Sequence, residues 1–70
     1  MSKNILIQFG GRIKKLRQEK GLTQEQFAIL SGLHKNYIGM VERGERNPSL
    51  KNIEIIAKGL GISVSDLMRF

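Results

Sequence analysis

The 70-residue sequence has no cysteine and no tryptophan, and only one proline, one histidine and one tyrosine. Without cysteine it is neither a small disulfide-stapled scaffold nor a thiolate metal site. The lone histidine, His34, has no second histidine or cysteine with which to share a metal, and by itself makes poor machinery for nucleophile–base catalysis. Gly10-Gly11 lacks both the spacing and the preceding strand of a phosphate-cradling loop. The expectation is a protein that is not an enzyme and takes no cofactor, metal or small-molecule ligand. Apolar runs such as Ile5-Leu6-Ile7 fall far short of the roughly 20 residues that cross a bilayer. No small-residue cleavage site follows that run, so the expected compartment is the cytoplasm, with no membrane partner.

Acidic residues are also scarce. Six Asp and Glu face 12 Lys and Arg, giving a net charge of +6 and a pI near 10.2. Such an imbalance draws a small chain toward polyanions: nucleic acid, an anionic membrane face or an acidic protein. Residues 1–70 fit one domain whose core is small and whose margin of stability is thin, so a dimer partner is the expected further source of stability.

What is present reads as short helices separated by glycine stops, with no alternating pattern to support a strand. Phe9, Ile13 and Leu16 share one face of a first helix that ends at Lys20, while Arg12, Lys14, Lys15 and Lys20 take the other face. Gly10 and Gly11 weaken its first turn. Thr23 caps a second helix, with Gln26 closing a capping box and Leu22 and Phe27 forming a hydrophobic staple. Ser31-Gly32 interrupts it, and a third helix runs from a cap at His34 to about Arg43. After the polar turn Glu45-Arg46-Asn47-Pro48, Ser49 caps a fourth helix carrying Leu50, Ile53, Ile56, Ala57 and Leu60 on one face, with Gly59 and Gly61 at its end. Ser63 and Asp66 then open a last short helix toward Phe70. The predicted fold is a compact all-α domain of five helices.

Residues 24–43 carry the functional signal. A tight helix-turn-helix needs a small residue where its two helices cross, supplied by Ala28, and a glycine at the sharp turn, supplied by Gly32. It also needs apolar anchors toward the core, supplied by Phe27, Leu33, Ile38 and Val41. Each feature alone is weak; their joint spacing is strong.

With Thr23-Gln24-Glu25-Gln26-Phe27-Ala28, Tyr37-Ile38, Val41-Glu42-Arg43-Gly44 and Pro48-Ser49-Leu50 in place, the sequence resembles the Cro and phage-repressor (XRE-type) helix-turn-helix family over nearly its whole length. Its shortness and its Glu-Arg-Gly-x-Arg-Asn-Pro-Ser run look most like the controller proteins of restriction–modification systems. The resemblance implies a lambda-repressor-like domain that binds palindromic double-stranded DNA as a homodimer, its third helix in the major groove. Such proteins activate or repress their own gene and the endonuclease gene, with RNA polymerase a candidate further partner. It implies a phosphate contact for Gln24 and base reading by Lys35, Asn36 and Tyr37, with Met40 one turn on. Arg43, Arg46 and Asn47 would grip the backbone or groove edge, and Arg17 and Glu42 would form a buried ion pair. The C-terminal helices, about residues 50–70, would hold the dimer.

The residue chemistry agrees at most of these places. Lysine donates to guanine O6 and N7, and asparagine pairs with adenine N6 and N7. Lys35 is nonetheless a point charge without the planar fork of arginine. Tyr37 has the alternative of packing its ring on the core edge and showing only its hydroxyl. Ile55 and Phe70 fit no internal stripe, and a dimer seam explains them together with Val64 and Leu67. Two other readings remain: a phage-type or chromosomal repressor or antitoxin of the same fold, and a small basic module for a membrane or an acidic protein. The latter predicts an unbroken amphipathic helix, whereas here caps and glycines cut every helix short.

Overall fold

The computed structural model describes residues 2–70, with side chains from Ile5 onward. Five helices follow one another, with no strand among the described residues: α1 (Ser2–Glu19), α2 (Gln24–Ser31), α3 (Lys35–Glu42), α4 (Leu50–Leu60) and α5 (Val64–Leu67). Local chemistry sets most of their starts. The Thr23 hydroxyl accepts the Gln26 backbone N–H at 3.1 Å, and Gln26 Oε1 accepts the Thr23 N–H at 2.9 Å, closing the capping box. Ser49 and Ser63 accept the backbone N–H groups of Asn52 and Asp66 at 3.1 and 3.0 Å. His34 occupies the N-cap of α3 without a side-chain hydrogen bond.

The first helix departs from the sequence reading. It starts at Ser2, passes unbroken through Gly10-Gly11 and stops at Glu19, one residue early. Gly10 is where α1 crosses the end of α3, and an added Cβ there would overlap the Val41 and Glu42 carbonyl oxygens. The helix-propensity penalty of glycine, about 1 kcal/mol, is thus offset by a crossing no side chain would allow. Arg12 is a second correction. Instead of facing solvent with Lys14 and Lys15, it donates to the backbone oxygens of Asp66 at 2.8 Å and Leu67 at 3.4 Å. It thereby ties α1 to the last carbonyls of α5, adding to the Arg69 N–H that the Asp66 oxygen also accepts.

The core gathers Phe9 and Ile13 from α1, Phe27 and Ala28 from α2, Ile38 and Val41 from α3, Ile56, Ala57 and Leu60 from α4, and Leu67 from α5. Leu67 is fully buried within the single chain, so it cannot form part of a dimer seam; it turns inward and joins the core. Leu50 is the converse, 76% exposed. At 3.6 residues per turn it lies about 70° off the centre of the stripe made by Ile53, Ile56, Ala57 and Leu60. Gly59 lies inside α4 rather than at its end, against the Phe27 ring. Gly32 closes α2 at φ 74°, its N–H bonded to the Ala28 oxygen at 2.8 Å, and swings the chain into α3.

Candidate nucleic-acid interface

Helix α3 divides its residues sharply. Ile38 and Val41 enter the core, whereas Lys35 and Asn36, with Arg43 at the C-cap, are exposed and Met40 is half-buried. The turn at Gly32 brings the start of α2 beside this outward face. Gln24, Lys35, Asn36, Gly39, Met40 and Arg43 together line one open cleft of about 230 Å³. Five of the eight residues expected at DNA therefore share one surface, with Gly39 as its floor.

The floor is tied down from below. Arg17 meets Glu42 through two parallel contacts, Nε to Oε2 at 2.6 Å and Nη2 to Oε1 at 3.0 Å, both side chains nearly closed to solvent. Arg17 also donates Nη1 to the Leu22 carbonyl at 2.7 Å. Glu42 Oε1 further accepts the Gln24 amide at 3.0 Å. One carboxylate thus joins α1, the start of α2 and the end of α3. Every hydrogen-bonding side-chain atom fully buried among the described residues has a partner, the condition under which a buried charge is tolerated. With one amide N–H donated to Glu42, Gln24, which lines the cleft, has its second N–H and its oxygen still to offer.

Arg43 forms the far wall. Its Nε lies 3.1 Å from Glu45 Oε2, and a Cβ on Gly39 would stand 3.1 Å from its Nη1. The hydrogen bond to Glu45, followed by the attraction of that carboxylate, raises the Arg43 pKa above its ordinary value. The remaining expected residues lie outside the cleft lining. The Tyr37 hydroxyl accepts from Asn52 Nδ2 at 3.0 Å, its ring is half-buried against the core, and the Arg46 guanidinium stands 5.3 Å from the ring centroid. Asn47 borders a separate apolar groove with Ile5, Leu6, Phe9, Pro48, Ile53 and Met68. Of the expected seam, Phe70 is half-exposed with its ring 6.3 Å from that of Phe9, while Ile55 and Val64 are half-buried.

Sequence reasoning missed Glu45 and Asn52. Glu45 carries a signal, an acid two residues beyond an arginine in an otherwise basic turn; Asn52 carries none, because its tyrosine partner is 15 residues away.

A family model described as helix-turn-helix matches residues 13–67. Control protein C.BamHI of Bacillus amyloliquefaciens is 44% identical over 71 residues, covering 100% of this chain and 88% of that protein. The restriction-modification controller protein C.AhdI from Aeromonas hydrophila superposes with a TM-score of 0.86 at 52% identity, covering 89% of this chain and 94% of that one. Controller protein C.Esp1396I, solved as a tetramer in complex with its natural 35 base-pair operator, superposes with a TM-score of 0.83 at 40% identity, covering 91% and 88%.

Proposed function

The chain belongs to the helix-turn-helix family, in the branch that holds the restriction–modification control proteins, and on that premise we propose that it is a controller. It is a sequence-specific transcription regulator that binds a palindromic operator as a homodimer and activates or represses its own gene and that of the endonuclease. The observation that carries this reading is the cleft itself: hydrogen-bonding side chains of α3 and Gln24, turned outward together on a fully satisfied scaffold.

In this reading the twelve cations supply salt-dependent, sequence-blind attraction. Lys35 and Asn36 at the exposed start of α3 read base edges in the major groove, and Gln24 fixes the helix on a phosphate. Arg46 and Asn47 extend the grip beyond the cleft. A protomer of 31 × 24 × 22 Å is of a size to place two α3 helices on half-sites one helical turn, roughly 34 Å, apart. The seam uses Ile55, Val64 and Phe70. The regulator acts in the cytoplasm on its own concentration, with RNA polymerase as the machinery it helps or obstructs. Weak dimerisation makes occupancy rise steeply as protein accumulates. Sequencing the duplexes that the protein retains from a random pool tests the proposal: a palindrome supports the two-fold dimer, and retention without sequence preference contradicts it.

A further inference from the structure

The Arg43–Glu45 pair lies on the face that the DNA reading turns toward phosphate, where a carboxylate weakens binding to every duplex alike. Its geometry gives that carboxylate a use. Arg43 ends α3 with a long side chain, and left free it would range over many phosphate positions. Instead its Nε is paired with Glu45 Oε2 at 3.1 Å, both side chains more than half exposed, and its Nη1 stands 3.1 Å from where a Cβ on Gly39 would lie. The Gln24 amide oxygen also approaches this position, 3.5 Å from where that Cβ would stand. A guanidinium held at Nε still presents Nη1 and Nη2 as a planar fork, the arrangement that meets guanine O6 and N7 in two parallel hydrogen bonds.

We propose that Glu45 is a positioning residue that holds the Arg43 guanidinium folded back over Gly39, so that its free fork is delivered to a guanine edge rather than to the phosphates. Gly39 is part of the same device. Glycine inside a helix is a poor choice for stability, and the three atoms nearest an alanine methyl there all belong to the ends of the Arg43 and Gln24 side chains, not to backbone. The glycine is therefore tolerable for the fold and useful to the arginine. This inference rests on the DNA-binding reading above and assigns to Arg43 base specificity rather than a general grip.

The test uses the whole chain, a duplex selected by the wild-type protein and a random-sequence duplex of equal length. The quantity read is the ratio of the two dissociation constants. Glu45→Gln is expected to tighten the random duplex and to lower the ratio by about fivefold or more, the low end of what one bidentate base contact contributes. In an Arg43→Ala background the same change should leave the ratio untouched. Gly39→Ala should raise the thermal midpoint while lowering the ratio, a combination that a purely structural role does not produce. A ratio that stays constant or rises in Glu45→Gln overturns the proposal, as does an equal fall with Arg43 absent. If the wild-type protein fails to distinguish the duplexes, the DNA reading falls along with it. If it distinguishes them and Glu45→Gln does so equally well, only the role of Glu45 falls.

Discussion

Gln24 and Glu42, 18 residues apart, meet at 3.0 Å, and the Glu42 oxygen that accepts the Gln24 amide also accepts Arg17 Nη2. Scaffold and cleft thus share one atom. The group that closes the interior ion pair also orients the first residue of α2 toward the outward face of α3. A change in the pair therefore reaches the binding surface without touching it.

Breaking that pair from one side should be costly. Arg17→Ala leaves the Glu42 carboxylate buried with only the Gln24 amide, and the expected loss is about 3–5 kcal/mol of folding stability. For so small a domain this is a large share of the whole. Urea denaturation of the wild type and variant measures it. A loss below 1 kcal/mol would mean that water reaches the site and the pair is not the fastening described.

Two adjacent glycines should respond in opposite directions. Gly11 has nothing near its missing Cβ, so Gly11→Ala should stabilise by up to about 1 kcal/mol through helix propensity. Gly10→Ala drives a methyl group into two backbone carbonyls of α3, and overpacking of that kind costs about 1–3 kcal/mol. Thermal denaturation of the two variants decides it; shifts of the same sign would remove the close crossing of α1 and α3 from the account.

Three neighbours in the cleft should separate by salt and by sequence. Lys35→Ala should lower the slope of log K against log salt by about one unit, because one cation is lost. Asn36→Ala should leave that slope alone and relax preference at one base step by about 1–3 kcal/mol. Gln24→Ala should weaken all duplexes by a similar factor with the slope unchanged, since the lost contact is neutral. Fluorescence anisotropy across a salt series reads all three, and a slope change for either neutral residue would contradict the assignment.

The seam is tested at Phe70, which is half-exposed in the single chain. An aromatic anchor at a dimer interface contributes strongly, so Phe70→Asp should weaken dimerisation by about tenfold or more, with the helical content retained. Sedimentation equilibrium measures the constant; an unchanged dimer takes Phe70 out of the interface.

The capping chemistry of the sequence anticipates α2, α4 and α5 because Thr23, Ser49 and Ser63 bond to groups three residues away, a relation any reader of the chain can see. The buried faces of α2 and α3 follow from periodicity for the same reason. The carbonyls that require Gly10 belong to residues 41 and 42, so in the sequence alone the double glycine looks like a weak helix start. That Leu67 turns into the core is not legible in the sequence, because a helix of four residues has no period from which to tell inside from outside. The exposure of Leu50 is hidden in the sequence because its one-turn spacing from Ile53 says nothing about where the stripe is centred. In the cleft, Gln24, Lys35, Asn36, Met40 and Arg43 were readable from their motif positions, whereas the pairing of Tyr37 with Asn52 exists only once α3 and α4 have packed. The partner that Arg43 finds in Glu45 depends on the turn after α3, whose geometry the sequence does not specify.

The most direct measurement is a dimethyl sulfate footprint of the protein on a duplex it has selected, because the reagent methylates guanine N7, an atom that lies in the major groove. The account predicts two clusters of protected guanines about one helical turn apart, with protection inside each cluster weakened by Lys35→Ala. Full binding with every guanine N7 still open to the reagent would mean that α3 does not lie in the major groove, and would contradict the account at its centre.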